Sequence, residues 1–179
     1  MVVIRQLRVQ DAAAFRAFLE RLSPASRYAR FQYVVKDVTP QLLRPLLEAD
    51  PRWHVALGAF DGERLVGEAR YVRRQEPDKA EFAIAVDDGW RRRGLASQLM
   101  TELLRHARRD GVQRLEGEVL AGNEAMLAFV VHAGFQVHHH FEDARLVRVK
   151  REIPGRLRPA RPLFRSADSA RFDIGAGFG

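Results

Sequence analysis

An arginine- and glycine-rich turn joins an apolar strand to a long amphipathic segment near the middle of the chain. The apolar stretch covers residues 82–86, the turn reads RRRGLA over residues 91–96, and the amphipathic segment begins at Gly94. In this order the first helical amides lack internal acceptors, and the helix dipole makes their end positive. Gly94 allows a tight turn with no side chain in the way of a ligand. The pattern therefore predicts a strand, turn and helix that together hold a diphosphate group.

The sequence of the turn distinguishes between known phosphate-binding motifs. A P-loop would end in Gly-Lys-Ser/Thr, and a dinucleotide fingerprint would place G-x-G-x-x-G after a first parallel strand; neither pattern occurs here. The turn instead reads Arg-x-x-Gly-x-Ala, which resembles the pyrophosphate-binding motif of the GNAT acetyltransferase superfamily, Gln/Arg-x-x-Gly-x-Gly/Ala. The alternative interpretation of these six residues alone is an arginine-rich turn before an ordinary helix.

A second motif follows in the order that this superfamily shows. Asn123 comes after a strand-like stretch at residues 114–119, and Gly134 and Phe135 follow it by eleven and twelve residues. Asn123 is a favourable N-cap, and Gly134 suits the left-handed end of a helix. The chain thus resembles the superfamily over about residues 2–153, and most specifically over residues 80–135.

The resemblance implies the GNAT fold, which belongs to the α+β class (α/β when that class is defined broadly). In this fold a mixed, mostly antiparallel sheet of about seven strands is flanked by helices. Local patterns are consistent with this fold. They predict strands at residues 2–7, 53–60, 64–72, 80–86, 114–119, 136–142 and 146–153, and helices that begin at Asp11, Ser23, Thr39, Gly94 and Asn123.

The composition changes after residue 153. The last 26 residues contain five arginines, three prolines and four glycines but few large apolar side chains. We therefore expect a GNAT domain at residues 1–153 and a basic, extended or disordered tail at residues 154–179. A partner-binding arm that uses Phe164, Phe172 and Phe178 is the alternative.

Acetyl transfer to an amine, which the resemblance implies, requires a base. A lysine amine has a pKa of about 10.4 and is protonated at neutral pH. Glu81 is the candidate, since it lies in the otherwise apolar strand AEFAIAV that leads to the diphosphate turn. Alternation places Glu81 with Ala83 and Ala85 on one face, so we expect it to be partly buried in the acetyl-binding cleft. A solvated glutamate on an edge strand is the alternative.

Further segments resemble the acetyltransferase domain of Pat-type protein lysine acetyltransferases. They are residues 22–31 (LSPASRYARF), residues 80–83 (AEFA), and Asn123 with Met126. Those enzymes acetylate a lysine of acyl-CoA synthetases and related proteins, and they use a glutamate at the position of Glu81. Many GNAT enzymes have a tyrosine as general acid where this chain has Val130. Water would then protonate the leaving thiolate, whose pKa of about 8.5 makes this feasible.

The resemblance also implies which residues hold the ligands. Backbone amides of residues 92–96 would bind the pyrophosphate of acetyl-CoA, and the main chain of residues 84–86 would bind the pantetheine arm. The cofactor-binding residues expected on this basis are Ile84, Ala85, Val86, Arg91, Arg92, Arg93, Gly94, Leu95, Ala96, Ser97, Asn123 and Met126. Arg27, Arg30 and Phe31 are expected to line the acceptor site. For the two arginines the alternatives are the CoA entrance and the solvated face of a short helix.

Composition excludes several other chemistries. The chain has no cysteine, which rules out disulfides, thiolate metal sites and a cysteine nucleophile. No metal site is expected at residues 138–140 (HHH), because neighbouring side chains of a strand point to opposite faces. The net charge of +7 suits a polyanionic ligand, but no nucleic-acid motif accompanies it. With no signal peptide and no apolar run long enough to span a membrane, we predict a cytoplasmic protein.

These observations lead to one functional hypothesis. The chain is expected to be an acetyl-CoA-dependent N-acetyltransferase that transfers acetyl directly to a primary amine, with a protein lysine as the expected acceptor. The alternatives are a small-amine acceptor (an amino acid, polyamine or drug) and a non-catalytic acyl-CoA-binding regulatory module. The sequence is also compatible with a homodimer.

Overall fold

The computed structural model describes residues 1–48, 50–73, 76 and 78–154. Apart from Pro154, the predicted C-terminal tail lies outside the described residues. The elements are β1 (Val2–Gln6), α1 (Ala12–Arg21), α2 (Pro24–Phe31), α3 (Pro40–Leu47), β2 (His54–Asp61), β3 (Arg64–Arg73), β4 (Lys79–Val86), α4 (Leu95–Arg109), β5 (Arg114–Leu120), α5 (Glu124–His132), β6 (Gln136–His139) and β7 (Leu146–Glu152). Short 3-10 turns cover Val9–Asp11 and Asp88–Trp90.

The seven strands form one mixed sheet in the order β1-β2-β3-β4-β5-β7-β6. Every neighbouring pair is antiparallel except β4 and β5, which are parallel. That parallel pairing joins only Lys79, Ala80 and Glu81 to residues 114–116, although β4 continues to Val86 and β5 to Leu120. The predicted α+β class and the seven-stranded mixed sheet are confirmed, and the sheet divides where β4 and β5 separate.

The two strands separate beside an aromatic pair. The rings of Phe82 and Phe135 are 4.8 Å apart between centroids. Gly117 lies beneath the first of these rings, because a Cβ at this glycine would be 2.9 Å from Phe82 Cε1 and 3.3 Å from the Phe82 carbonyl oxygen. The absence of a side chain at Gly117 therefore lets β4 place a large ring against β5 at the point where pairing ends.

The sheet has a hydrophobic cluster on each side. On one side α4 buries Leu95, Leu99, Leu103 and Ala107, which are four residues apart, and each is at most 3% exposed. On the other side α1 contributes a second cluster built around Phe15, Phe18 and Leu19. None of the described helices combines the length and the apolarity needed to cross a membrane.

Helix starts follow the predicted capping residues with one exception. The side chains of Ser23, Thr39 and Asn123 each accept a hydrogen bond from the amide three residues further on, at 3.2, 3.3 and 3.2 Å. Asp11 occupies the N-cap position of α1, but its side chain does not cap this helix. Its carboxylate instead binds the Arg5 guanidinium at 2.7 and 2.8 Å, because the end of β1 lies close to it.

Strand β6 is shorter than predicted and ends at His139. The predicted continuation to residue 142 is wrong because the chain turns at His140. There the His140 Nδ1 accepts a hydrogen bond from the Asp143 amide at 2.9 Å, and its Nε2 lies 3.1 Å from Glu118 Oε1. The third histidine of the triplet thus has local partners on both ring nitrogens.

Gly117→Ala is expected to lower the free energy of unfolding by about 1–3 kcal/mol, because the new methyl group overlaps the Phe82 ring and backbone. Chemical denaturation measures the change. Gly122→Ala is the matched control, since a Cβ at that position has nothing within 4 Å. Equal stability of the two variants would contradict the packing argument.

Candidate active site

A cavity of about 1430 Å³ occupies the place where β4 and β5 separate. It exceeds the roughly 300–1,000 Å³ of common small-molecule pockets, so it has room for an extended ligand. Its walls are β4 at residues 81–86, the turn at 88–97, β5 at 116–120 and the first turns of α5, and α2 covers it from the side. The predicted site residues that line it are Glu81, Ile84, Ala85, Val86, Arg91, Arg92, Arg93, Gly94, Leu95, Ala96, Ser97, Asn123, Met126 and Arg30.

The turn before α4 has an unusual backbone. Arg92 has a φ of 59° and Gly94 a φ of 74°, so two residues of this short turn are left-handed. A left-handed arginine costs about 1 kcal/mol or more, and such outliers occur where a binding site requires them. The α4 hydrogen bonds start with Gln98 N donating to Gly94 O at 3.1 Å, and the amides before Gln98 have no intrahelical acceptor. The turn therefore presents a concave group of N–H donors to the cavity.

The three arginines of the turn have different surroundings. Arg91 is bound to Asp88 Oδ1 at 2.7 Å and donates to Ser26 Oγ at 2.6 Å, which fastens the turn to α2. The guanidinium of Arg93 lies 5.0 Å from the Trp90 ring centroid. Arg92 is exposed, and within the described part of the chain it has no hydrogen-bonding or ionic partner. Of the three, Arg92 is thus the side chain most available to an incoming anion.

Asp88 organises the contact between the turn and α2. Its carboxylate accepts hydrogen bonds from the Ser23 amide at 2.9 Å and from Ser26 Oγ at 2.7 Å. Burial by itself would raise the pKa of Asp88, but these bonds and the charge of Arg91 outweigh it and lower the pKa below its ordinary value. Asp88 therefore stays ionised and keeps the turn in place at neutral pH.

Glu81 lies at the end of β4 where pairing with β5 is still intact. It is the partner of Val72 on β3 and of Glu116 on β5, so its strand is not an edge strand, as the alternative had it. Its side chain is exposed, as the alternative of a solvated glutamate expected, and the expected partial burial is wrong. Glu81 is exposed because it lies at the rim of the cavity, just before β4 and β5 separate.

A buried ion cluster on the same face of the sheet was not anticipated from the sequence. Glu68 of β3 is fully buried and binds Arg30 Nε through Oε1 at 2.6 Å and Arg70 Nη2 through Oε2 at 2.5 Å. In register, Glu68 is opposite Ala85 and Arg70 is opposite Ala83. In sequence this stretch has the alternation of a half-exposed hairpin. Its charges are buried because three helices meet over it: Arg30 of α2 binds Glu68, and Phe15 of α1 and the Leu46 carbonyl of α3 contact Arg70.

The charges of the cluster fix its protonation. Burial by itself would raise the pKa of Glu68, but the charges and hydrogen bonds of Arg30 and Arg70 outweigh burial and lower it. Burial, together with the nearby charge of Arg70, lowers the pKa of His54 to about 4. At neutral pH the cluster therefore consists of two cations and one anion beside a neutral imidazole.

Two of the predicted acceptor-site residues do not reach the cavity. The Arg27 guanidinium donates to the backbone carbonyls of residues 20, 22, 35 and 36, at 3.1–3.3 Å. Phe31 packs against the cluster around α1 and lies 4.8 Å from the Arg30 guanidinium. Both residues support α2, and of the three only Arg30 lines the cavity.

The far wall of the cavity is built by α5 and β5. Asn123 uses its side-chain oxygen to cap α5, and Met126 and Phe129 of that helix line the cavity. Val130 is fully buried in the core, so its position offers no group to the cavity. Gln32 was not anticipated: its Nε2 donates to the Glu118 carbonyl at 3.0 Å and joins the end of α2 to β5.

In the ranges 1–48, 50–73, 76 and 78–154, no group of three or more histidine, aspartate or glutamate side chains is arranged to hold a metal ion. The cavity lining includes a carboxylate at its rim, amide donors at its turn and guanidinium groups at its walls.

Comparisons with known proteins agree with this geometry. Residues 15–135 match the model of the acetyltransferase (GNAT) family. The acetyltransferase PA5475 of Pseudomonas aeruginosa is 37% identical over 138 residues, which cover 75% of this chain and 74% of that protein. The acetyltransferase Pat of Mycolicibacterium smegmatis is 37% identical over 107 residues, which cover 58% of this chain but 32% of that longer protein. The crystal structure of the GNAT domain of S. lividans Pat has a TM-score of 0.79 at 29% identity, over 83% of this chain and 89% of that domain.

Glu68→Gln is expected to lower the free energy of unfolding at pH 7 by about 3–5 kcal/mol, because it leaves two buried guanidinium groups without an anion. The lowered pKa of Glu68 means that its stabilisation is complete above the unfolded-state pKa of about 4.3 and is lost as pH falls through the folded value. Urea denaturation from pH 7 downward should show that the difference in the free energy of unfolding between wild type and Glu68→Gln becomes smaller below pH ~4.

Glu48→Gln serves as the control for this series, since it removes an exposed pair with Arg44 and should change stability little. Two results would contradict the assignment of the buried cluster. One is a small difference in the free energy of unfolding between wild type and Glu68→Gln at pH 7, and the other is a difference that grows on acidification.

Proposed function

Because this chain belongs to the GNAT family of acetyltransferases, we propose that it transfers acetyl from acetyl-CoA directly to a protein lysine, with Glu81 as general base. Enzymes of this family use acetyl-CoA as the acyl donor and acetylate an amine. The observation that carries the proposal is that Glu81 and the amide-rich turn before α4 both line the cavity between β4 and β5.

The donor would lie along β4. The amides of residues 92–96 would bind its pyrophosphate, because they form a positive concave surface at a helix N-terminus. Beyond Glu81, β4 has no strand partner on the β5 side, so Ile84, Ala85 and Val86 have backbone groups available for the amides of the pantetheine arm, which would bind like an added strand. Asn123 and Met126 would contact the donor from the opposite wall.

Glu81 would remove the proton that prevents the amine from attacking. Deprotonating a lysine at pH 7 costs about 4–5 kcal/mol from its pKa, and a positioned base supplies the route for that proton. The amine nitrogen then bonds to the thioester carbonyl carbon, the carbon–sulfur bond breaks, and the thiolate of CoA leaves. Water would protonate this thiolate, since Val130 stands where many relatives have a tyrosine acid.

The position of Glu81 supports a protein as the acceptor. Glu81 is exposed at the rim of the cavity, so a lysine side chain of a folded protein can reach it while its backbone remains outside. The resemblance of residues 22–31 and 80–83 to Pat-type lysine acetyltransferases favours the same acceptor.

Glu81→Gln is expected to reduce kcat/KM for acetyl transfer by about 10²-fold or more while the Kd for acetyl-CoA stays unchanged, because only the base is lost. Labelled acetyl-CoA and a host lysate, followed by mapping of the acetylated lysines, supply the acceptor and the assay. Glu116→Gln is the comparison variant, since it changes the neighbouring carboxylate of the same cavity. The assignment would be overturned if the larger loss appeared in Glu116→Gln, or if wild type transferred no acetyl at all.

Gly94→Ala is expected to raise the Kd for both acetyl-CoA and free CoA about tenfold or more, because a methyl group at a left-handed position disturbs the phosphate-facing amides, whose bonds to a charged group are worth about 1.5–3 kcal/mol each. Gly62→Ala provides the matched control, because Gly62 also has a positive φ, of 60°, and open space around it, but it lies in the β2–β3 turn. Isothermal calorimetry gives both affinities. Equal Kd values for the two variants would contradict phosphate binding at this turn.

A further inference from the structure

Arg30 has a guanidinium that the protein satisfies only in part. Its side chain is 7% exposed, and its Nε donates to Glu68 Oε1 at 2.6 Å. Its Nη2 is buried without an acceptor, and its Nη1 also has none among the described residues. A guanidinium has five N–H donors, and burying them without acceptors costs free energy. Arg30 therefore has guanidinium donors without protein acceptors beside the cavity that it lines.

The charges around Arg30 are not balanced. Arg70 directs Nε and Nη2 to Glu68 and Nη1 to the Leu46 carbonyl, so its three nitrogens all have acceptors. Because His54 is neutral at pH 7, the buried cluster retains one unit of excess positive charge. A buried charge without a counterion is costly, so an anion bound at Arg30 would remove both the excess charge and the unmet donors.

Arg30 lies further along α2 than the residue that contacts the part of the cavity suited to phosphates. It lies one helical turn beyond Ser26, which contacts the diphosphate turn through Arg91. Its partner Glu68 is on the face of the sheet that also carries Ala83 and Ala85 in register, two and four residues after Glu81. Arg30 therefore lies over the face on which the proposed base is found.

We propose that Arg30 is a carboxylate-binding subsite of this enzyme, so that one of its two substrates carries a carboxylate near the reacting atoms. A carboxylate matches the planar donor pair of a guanidinium and can bind it with two parallel hydrogen bonds. The carboxylate belongs either to the far end of a dicarboxylic acyl group or to an acidic residue beside the acceptor lysine. This inference rests on the proposed function, because it names a chemical feature of the substrates of that site.

The experiment compares substrates that differ only in a carboxylate. The donor pair is propionyl-CoA and succinyl-CoA, which differ by one carboxylate in place of a hydrogen, with acetyl-CoA as the reference donor. The acceptor pair is two short peptides in which a lysine is flanked by Asp or by Asn. Wild type should favour the carboxylate-bearing member of one pair by about tenfold or more in kcat/KM, since hydrogen bonds to charged groups are strong. Preference within the donor pair assigns the carboxylate to the acyl group, and preference within the peptide pair assigns it to the acceptor.

Variants then separate recognition from support of α2. Arg30→Met should abolish the preference, and Arg30→Lys, which keeps the charge but not the planar donors, should retain part of it. Arg27→Met is the matched control: it removes a guanidinium that serves the same helix but does not line the cavity, so it should keep the preference. A preference that survives in Arg30→Met, or that is lost equally in Arg27→Met, overturns the proposal.

If Arg30→Met fails to fold, the substrate comparison with the wild-type enzyme still tests the carboxylate-binding subsite. Equal kcat/KM within both pairs, with equal Kd for the two thioesters by calorimetry, overturns the subsite and leaves the proposed acetyltransferase function standing. Absence of acetyl transfer with every donor and acceptor overturns the proposed function and the subsite together.

Discussion

The short parallel pairing of β4 with β5 is the constraint on which the rest of this structure depends. It joins three residue pairs and then ends, while both strands continue. Phe82 packs over Gly117 at that point and against Phe135. These rings cover the place where β4 and β5 stop pairing, so the hydrophobic core there stays buried. The division leaves backbone groups of β4 without strand partners, and a single chain thereby gains an extended binding surface in the middle of its sheet rather than at its edge.

Polar contacts hold the helix that closes this cavity. No residue of α2 is fully buried, and the helix is attached by the Asp88 cluster at its start, by Arg30 and Glu68 in its last turn, and by Gln32 at its end. Contacts of this kind depend on geometry and charge more than apolar packing does. The wall of the cavity therefore contains polar side chains, among them Arg30, that a purely apolar helix could not provide.

Much of the fold and part of the site could be predicted from the sequence. The capping residues Ser23, Thr39 and Asn123 begin their helices as expected, and the turn residues around Gly94 line the cavity. The failures are those of long-range packing. Arg27 was expected at the acceptor site but serves backbone carbonyls, and Glu81 was expected to be partly buried but lies at the rim. Nothing local to Glu68 reveals that a helix 38 positions earlier covers it.

The sequence by itself determined the local units, because N-caps, left-handed glycines and apolar periodicity act over only a few residues. These signals specified the strand, turn and helix at Gly94 and the capped helix at Asn123. Only the tertiary structure decided how far β4 and β5 pair, which charges α2 buries and which arginine faces the cavity. Those outcomes depend on contacts between residues that are distant in the chain. The free energies of these contacts are set by close packing and by the desolvation of charges, which no short stretch of sequence encodes.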